Sequence, residues 1–386
     1  MIEWRNIWEV TTWDKKFSGV DKRKQPKVIK YYYYLANELA DLEKQGGDVR
    51  ILYTTNKEAY ANSSDVDGNI AEGEVVTIPW GGNVNIQYYK GKFVTADNRI
   101  ATSNDINYLL NKYLYYWMLS QKGEIEKMYR GAGIKHPSML SVLSMQIAIP
   151  PLQEQNRIVG ILDTFTASID NLKEQIAQRR KQFEYYRDQL LDLEGKEGVE
   201  MKTIKDVCLK ICSGGTPSTS RKDYYGGDIP WLRTQEVDWK KIHDTEIKIT
   251  NEALANSSAK IIPVDCVIVA MYGATAAKIA INKIPLSTNQ ACCNLEIDSS
   301  IAIYKYVYHW LCKEYLKLKA MGEGSQNNIN GQKVKDFLIP VPSLSEQSRI
   351  VSILDTFEAS IQNLETQLSQ REKQYEYYRN KLLTFE

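Results

Sequence analysis

The sequence lacks the features of several protein classes. Its 386 residues contain no run of about 18 apolar residues, so no transmembrane helix is predicted. The first residues show no basic segment followed by an apolar stretch, so we expect no secretion signal and a cytoplasmic location. The six cysteines all lie between Cys208 and Cys312, which fits reduced thiols better than a disulfide framework. We expect two or three globular domains.

Signatures of catalysis and metal binding are also missing. The chain has no glycine-rich loop followed by Lys and Ser or Thr, no dinucleotide fingerprint after a strand, and no Asn-Pro-Pro-Tyr tetrapeptide typical of amino-group DNA methyltransferases. Neither Cys208 with Cys212 nor Cys292 with Cys293 has paired zinc-ligand spacing, so buried thiols are favoured over a zinc site. We therefore expect a binding protein without catalytic or metal-ligating residues.

Charge is balanced overall but uneven along the chain. Lys and Arg number 49 and Asp and Glu number 48, which gives a net charge of +1. Residues 1–152 and 195–344 carry net charges of +2 and +3, whereas residues 153–194 and 345–386 carry −2 each. Such a small positive charge per domain predicts weak, salt-sensitive binding to nucleic acid by the chain alone.

The alternation of charge reflects a repeated segment. Residues 154–191 and 346–383 align without gaps at an offset of 192, with 26 identities in 38 positions. Apolar residues recur in steps of four and three, which predicts one long helix per copy and left-handed coiled-coil packing. The predicted seam is Ile158, Leu162, Phe165, Ile169, Leu172 and Ile176 in the first copy, and Ile350, Leu354, Phe357, Ile361, Leu364 and Leu368 in the second. Arg179 and Arg371 also fall in the seam, where they either fix the register or extend to water.

The two predicted helices can pack against each other. Each follows a globular segment, so an antiparallel pair would place the two segments at opposite ends, related by a pseudo-twofold axis. About 39 residues at ~1.5 Å each give a helix of roughly 58 Å. The helices could therefore act as a spacer between the globular segments.

The globular segments are more diverged copies of one design. Gly73–Gly81 matches Asp265–Gly273 at the same offset of 192. Short β-branched runs such as Val267–Ala270 predict strands, and Tyr108–Ser120 and Ile303–Lys319 predict helices. We expect an α+β fold in which two globular mixed α/β domains are separated by two long antiparallel coiled-coil helices, with a pseudo-twofold internal repeat. The predicted boundaries are 1–150 and 195–342 for the domains, and 151–194 and 343–386 for the helices.

Polar and aromatic loops in both domains hold the residue types that contact phosphates and base edges. In the second domain the candidate DNA-binding residues are Thr216, Ser218, Arg221, Lys222, Arg233, Thr234, Gln235, Tyr272, Lys278, Asn289, Gln290, Gln326, Asn327 and Asn328. In the first domain they are Lys22, Arg23, Trp80, Asn83, Asn98, Arg99, Lys135 and His136. The cluster of Lys and Arg between Lys15 and Lys30 could follow a phosphate backbone. A plain turn is the alternative for each loop, and Tyr31–Tyr34 is expected to begin a half-buried helix.

These motifs occur together in one known family. The sequence Ile-Pro-Pro-Leu-x-Glu-Gln-x-Arg-Ile-Val-x-Ile-Leu-Asp opens the first long helix, and its Glu-Gln-x-Arg-Ile-Val-x-Ile-Leu-Asp part recurs in the second. The second domain carries Gly-Gly-Thr-Pro-Ser, Ile-Pro-Trp-Leu-Arg-Thr, Tyr-Gly-Ala-Thr and Ser-Thr-Asn-Gln-Ala. Over essentially its whole length the chain resembles the specificity subunit of a type I restriction–modification system. The first domain departs from the pattern, with Trp80 and Gly81 in place of Tyr272 and Gly273.

The resemblance implies a function. Each domain, as a target-recognition domain, would read one half of a bipartite site in double-stranded DNA. The helices would set the gap between the half-sites and dock methyltransferase subunits, two of them in the complex. A motor subunit that cleaves DNA would join through the complex. This chain would hold no cofactor, with S-adenosylmethionine and ATP bound by the partner subunits.

Two other classes of function stay open on the residues alone. One is a single-chain DNA-processing enzyme, because a loose nuclease motif can escape detection. The other is a coiled-coil scaffold with two protein-binding domains and no role on DNA. A nuclease assay distinguishes the enzyme from a DNA-reading subunit, and a DNA-binding assay distinguishes the scaffold from it.

Overall fold

The computed structural model describes residues 2–66, 68–323 and 328–385, and the chain divides into two compact units. The first unit comprises Met1–Lys173 and Thr366–Glu386, and the second comprises Glu174–Glu365. Each unit therefore holds one globular domain together with a part of each long helix. The division agrees with the duplication seen in the sequence.

The first domain is built around a six-stranded sheet. The domain as a whole has ten strands among the described residues: β1 (Glu3–Asn6), β2 (Thr11–Trp13), β3 (Val49–Leu52), β4 (Glu58–Ala61), β5 (Ala71–Pro79), β6 (Gln87–Thr95), β7 (Asn98–Ser103), β8 (Tyr129–Arg130), β9 (His136–Pro137) and β10 (Gln146–Ile149). Its helices are α1 (Ile7–Val10), α2 (Ala36–Asp41), α3 (Asn111–Ser120), α4 (Lys122–Lys127) and α5 (Met139–Leu143). The sheet has the order β2-β7-β5-β6-β3-β4, in which only β3 and β6 are parallel among the described pairs. The apolar face of α3 is buried with β5, β7 and α5 in the main core.

The second domain repeats this design with a divided sheet. Its strands are β11 (Glu200–Thr203), β12 (Cys208–Ser213), β13 (Tyr225–Leu232), β14 (Lys241–Ile242), β15 (Lys248–Ile249), β16 (Ile261–Ile262), β17 (Val267–Ala270), β18 (Ile279–Asn282), β19 (Leu286–Thr288), β20 (Cys292–Ile297) and β21 (Leu338–Val341), and its helices are α7 (Asn251–Ala255), α8 (Tyr304–Lys313), α9 (Tyr315–Ala320) and α10 (Gly331–Lys335). One sheet has the order β12-β20-β17-β18-β14 and the other β15-β13-β19-β16. Strands β12-β20-β17-β18 correspond to β2-β7-β5-β6 of the first domain, which confirms the repeat of the globular segments.

Two long helices, α6 (Leu152–Leu190) and α11 (Leu344–Leu383), complete the two units. In the first unit the ring of Phe165 stacks on that of Tyr378, with centroids 5.4 Å apart, while Lys173 Nζ lies 3.5 Å from Glu372 Oε1. As the residue number increases along α6, the residue number of its contact partner in α11 decreases, so the two segments are antiparallel.

The second unit contains the other parts of α6 and α11. There the ring of Phe357 stacks on that of Tyr186, with centroids 5.4 Å apart, and Arg180 Nη2 lies 2.5 Å from Glu365 Oε1. These segments too are antiparallel. All twelve predicted seam positions are buried or half-buried.

A buried glutamine fastens the start of each long helix to its domain. The Gln155 carboxamide oxygen accepts from Leu110 N at 2.9 Å, and its nitrogen donates to the carbonyl oxygens of Tyr108 and Pro150. Gln347 makes the three equivalent bonds in the second unit. The repeated glutamine is therefore explained by a buried amide with all of its partners inside the domain.

Two sequence-based predictions of local structure were wrong. Tyr31–Tyr34 does not begin a helix, because this stretch is extended and Tyr33 pairs with Thr95 of β6, while α2 starts only at Ala36. The helix predicted over Ile303–Lys319 is two helices, α8 and α9, which meet at Glu314. In both places long-range pairing and packing outweigh the local pattern of apolar residues.

Candidate nucleic-acid interface

In the second domain, parallel pairing of β13 and β19 brings two candidate loops together. Trp231 pairs with Ser287 and Leu232 with Thr288. The carboxyl ends of parallel strands lie at the same edge, so the loop Arg233–Gln235 and the loop Asn289–Gln290 emerge side by side. The backbone N–H of Asn289 donates to the Leu232 carbonyl at 2.9 Å. This bond connects the loop Asn289–Gln290 to the end of β13, from which the loop Arg233–Gln235 emerges.

The hairpin loop between β17 and β18 joins the same surface. Thr275 Oγ1 donates to the Thr234 carbonyl at 2.9 Å. Gly273 N donates to Asn328 Oδ1 at 3.1 Å, so Asn328 is bound to the hairpin as well. Tyr272 stands exposed on this loop. Gln326 and Asn327, also predicted to bind DNA, lie outside the described residues.

The Gly-Gly-Thr-Pro loop packs behind these loops. Gly215 N donates to the Thr288 carbonyl at 2.8 Å, and the Trp231 indole donates to the Gly215 carbonyl at 2.9 Å. A Cβ atom on Gly214 would lie 2.1 Å from the Thr288 carbonyl oxygen. The two glycines therefore permit close backbone packing, while Thr216 is half-buried and Ser218 is exposed.

Most predicted cations of the second domain are paired with carboxylates. Arg221 lies 2.6 Å from Asp223. The hydrogen bond from Arg221 is the main cause that lowers the pKa of the Asp223 carboxyl. Arg233 lies 2.5 Å from Glu246. In the same way Lys278 Nζ lies 2.6 Å from Asp238 Oδ1, whereas Lys222 is exposed. A DNA phosphate or base would have to replace these carboxylates, which favours selectivity over affinity.

In the first domain, Lys15 and His136 lie beside the ring of Trp80. Lys15 Nζ lies 5.3 Å from the centroid of the Trp80 ring, at a cation–π distance. The His136 ring lies 5.2 Å from the same ring, and Gly82 N donates to the Lys135 carbonyl at 2.9 Å. One tryptophan thus brings together loops that are more than 50 residues apart in sequence.

Two candidates of the first domain are not on the surface. Asn98 and Arg99 are fully buried, so the prediction that they contact DNA is wrong for the structure described. The Arg99 guanidinium pairs with the buried carboxylate of Asp14 at 2.7 Å and also with Asp97. Asn98 donates to the Leu52 carbonyl at 2.9 Å. Both side chains hold the domain together.

The remaining first-domain candidates are exposed. Lys22 and Arg23 lie in a short 3-10 helix, Lys22–Lys24, where Arg23 pairs with Asp21 at 2.7 Å. The segment that carries them is closed on itself by Gln25, whose amide nitrogen donates to the Lys15 carbonyl at 3.0 Å. Asn83 is exposed on the loop after Trp80.

Two equivalent aromatic patches on the long helices were not predicted. In the second unit Tyr185 is 61% exposed, beside Tyr186. In the first unit Tyr377 is 58% exposed, beside Tyr378. The Glu-Tyr-Tyr-Arg sequence, which is identical in both copies, is the signal that could have identified these patches.

The described residues hold neither a metal-binding cluster nor a helix that could span a membrane. No group of three or more His, Cys, Asp or Glu residues there could hold a metal ion. None of the described helices is long and apolar enough to cross a membrane. Burial raises the pKa of the Cys208, Cys266, Cys293 and Cys312 thiols to about 12, which keeps them protonated and unreactive at neutral pH.

Known proteins resemble the chain in both sequence and fold. The family described as "Type I restriction modification DNA specificity domain" matches residues 21–179 and 196–372. The chain is 34% identical over 306 residues to the Escherichia coli type I restriction enzyme EcoR124I/EcoR124II specificity subunit, covering 74% of each. It is 23% identical over 379 residues to the Methanocaldococcus jannaschii type I restriction enzyme MjaVIII specificity subunit, covering 92% of this chain and 85% of that one. The solved S subunit of a type I restriction–modification system from M. genitalium has the same fold, with a TM-score of 0.65, 16% identity, and coverage of 100% of this chain and 97% of that one.

Proposed function

This chain belongs to the family of type I restriction–modification DNA specificity proteins, and we propose that each of its two domains reads one half of a split DNA site. The observation that carries the proposal is the gathering of polar loops on one surface of each domain. In the second domain they are tied together by hydrogen bonds at Asn289, Thr275 and Asn328. In the first they meet at Trp80. Side chains held in this way can present donors and acceptors to base edges in a fixed geometry.

A domain exchange tests independent reading. Residues 205–335 are replaced by the corresponding segment of another member of the family, and the hybrid is expressed with the matching methyltransferase subunit. The modified DNA is then sequenced. One half of the motif should change while the other half and the gap stay as before. A change in both halves would count against two independent readers, and the unaltered chain is the control.

We propose that the length of the two long helices sets the gap between the half-sites. Each helix is about 58–60 Å long at ~1.5 Å per residue, which is equivalent to roughly 17 base pairs at ~3.4 Å per step. Inserting one helical turn into both helices, where the two units meet in sequence, should lengthen the unread gap. A folded variant that modifies DNA with the original gap would contradict this role.

The duplicated aromatic patches support two copies of one partner. Tyr185 with Tyr186, and Tyr377 with Tyr378, present the same residues on equivalent parts of the two helices. Exposed tyrosines of this kind are enriched where proteins bind each other. The patches are the docking surfaces that we assign to two methyltransferase subunits. A motor subunit would join through the assembled complex.

Single and double variants test this stoichiometry. Tyr185→Ala or Tyr377→Ala alone should leave one methyltransferase copy bound in native mass spectrometry, and the double variant should bind none. Asp170→Asn, an exposed change on the same helix, serves as the matched control and should leave two. Two bound copies on the double variant would exclude these patches as docking surfaces.

Chemistry in the complex would come from the partners. We propose that this chain supplies no catalytic group, that S-adenosylmethionine is held by the methyltransferase subunits, and that ATP is held by the motor subunit. Calorimetry with either S-adenosylmethionine or ATP and the isolated chain should show no binding. Saturable binding of S-adenosylmethionine to the pure chain would contradict this division of labour.

A further inference from the structure

His136 is exposed, yet the position of its ring is fixed. Its Nδ1 lies 2.7 Å from the carbonyl oxygen of Trp80, and its ring lies 5.2 Å from the Trp80 ring. The carbonyl of the preceding residue, Lys135, accepts from Gly82 N at 2.9 Å. Exposed side chains are usually free to rotate, so a fixed one is suited to present a chosen atom to a ligand.

Trp80 in turn rests on the buried ion pair of the domain. The Arg99 guanidinium lies 4.7 Å from the centroid of the Trp80 ring, and it is bound to Asp14 at 2.7 Å. Trp80 N donates to the Asp97 carbonyl at 2.9 Å. The ring that supports His136 is therefore held by the interior of the domain.

Gly81 makes the close approach of the His136 loop possible. A Cβ atom at this position would lie 2.8 Å from Ile134 Cγ2 and 3.2 Å from His136 Cε1. The first distance is shorter than side-chain contacts in proteins, so a larger residue would push the Ile134 side chain away. Glycine lets the Ile134 and His136 side chains lie close to this part of the backbone.

The contact with Trp80 determines which nitrogen of His136 carries the proton. A carbonyl oxygen has no hydrogen to donate, so Nδ1 must be the donor in this hydrogen bond. In the neutral imidazole the other nitrogen, Nε2, is then unprotonated and accepts hydrogen bonds. The loop therefore presents a hydrogen-bond acceptor in a fixed position.

We propose that His136 determines one base of the first half-site, by accepting a hydrogen bond at Nε2 from the exocyclic amino group of adenine or cytosine in the major groove. This inference rests on the proposed DNA-reading function. Guanine and thymine carry oxygen acceptors, O6 and O4, at the corresponding edge. Neither oxygen can donate a hydrogen bond to Nε2, so two acceptors would face each other. The preference for an amino-bearing base should be about tenfold to hundredfold.

The test compares variants of the full chain expressed with its methyltransferase subunit, with the modified motif read by sequencing. His136→Ala should make one position of the first half-site accept any base and leave the second half unchanged. His136→Gln keeps an acceptor and a donor on one amide and should retain the base. His136→Arg carries only donors and should change the base to guanine. His243→Ala, an exposed histidine of the second domain, is the matched control with an unchanged motif.

The outcomes separate this inference from the proposed function. If the unaltered chain gives a split motif and His136→Ala gives the same motif, the role of His136 is wrong while the DNA-reading function holds. If His136→Ala modifies no DNA but His136→Gln retains the full motif, the acceptor role is supported. If both variants are inactive, His136 is structural and the inference fails. If the unaltered chain gives no split motif, the proposed function itself fails.

Discussion

The guanidinium of Arg371 lies 5.6 Å from the centroid of the Phe165 ring, within the first unit. The equivalent pair in the second unit, Arg179 and Phe357, is 5.9 Å apart. Both arginines interrupt an otherwise apolar seam, and each is placed over an aromatic face of the other helix. A charge in the seam is tolerated because the ring attracts it while the side chain stays only half-buried.

Removing this contact should weaken the first unit slightly. Arg371→Ala should lower the free energy of unfolding by about 0.5–1 kcal/mol, because it loses the cation–π contact and the packing of the side-chain stem. Lys373→Ala, an exposed change two residues further along the same helix, is the control. Urea unfolding followed by circular dichroism measures both, and equal stabilities for the two variants would rule out a contribution from the pair.

The buried ion pair of the first domain should matter far more. Asp14→Asn leaves the Arg99 guanidinium buried without its main counter-charge, so the free energy of unfolding should fall by about 3–5 kcal/mol. The exposed pair formed by Asp21 and Arg23 provides the control, since Asp21→Asn should have a much smaller effect. A loss no larger than that of the control would mean that the pair does not hold the domain together.

Two glycines should respond oppositely to the same change. Gly214→Ala puts a Cβ atom 2.1 Å from the Thr288 carbonyl oxygen and should destabilise the second domain by about 1–3 kcal/mol or more. Gly160→Ala lies on α6 with nothing within 4 Å of the new atom, so it should stabilise the helix by up to about 1 kcal/mol. Thermal unfolding of both variants checks the signs, and a stabilised Gly214→Ala protein would contradict the close packing described for this loop.

Acid should destabilise the second unit through His309. Burial disfavours the charged imidazole and lowers the pKa of His309 from 6.5 to about 4, although Glu358 opposes the shift. The unfolded chain therefore binds a proton at higher pH than the folded chain does. This residue does not change the stability above pH ~6.5, and it lowers the free energy of unfolding by up to about 3 kcal/mol as the pH falls from 6.5 to 4.

His309→Phe isolates that effect from the other titrating groups. The stability difference between this variant and the unaltered chain should shift in favour of the variant when urea unfolding is repeated at pH 4.5 instead of pH 7.5. The two proteins should differ by the same amount at both pH values only if His309 titrates alike in the folded and unfolded chain. That result would show that its burial has no influence on proton binding.

The repeat and the long helices could be predicted because they rest on local signals. The 3.5-residue period around Ile158 and Ile350 is visible in the sequence, and the identity of the two copies confirms it. The loops of the second domain were also recognisable from their Gly, Pro and Asn residues. Bringing them together at one edge needed the parallel pairing of β13 with β19, which no local pattern shows.

The status of single charged residues could not be predicted. Arg99 looked like a surface cation because its partner Asp14 is 85 residues away in sequence, and only folding brings the two together. Tyr33 has the apolar neighbours of a helix start, but pairing with Thr95 keeps it extended. Burial and long-range pairing decide such cases, and both depend on the tertiary structure.

The central claim is that the chain reads a split DNA site with one domain for each half. The most direct measurement is to express it with a methyltransferase subunit of a matching system, supply S-adenosylmethionine and DNA of random sequence, and map the modified bases by sequencing. We expect one motif made of two specified halves separated by a gap of constant length. A continuous motif, or a gap that varies from site to site, would contradict the claim.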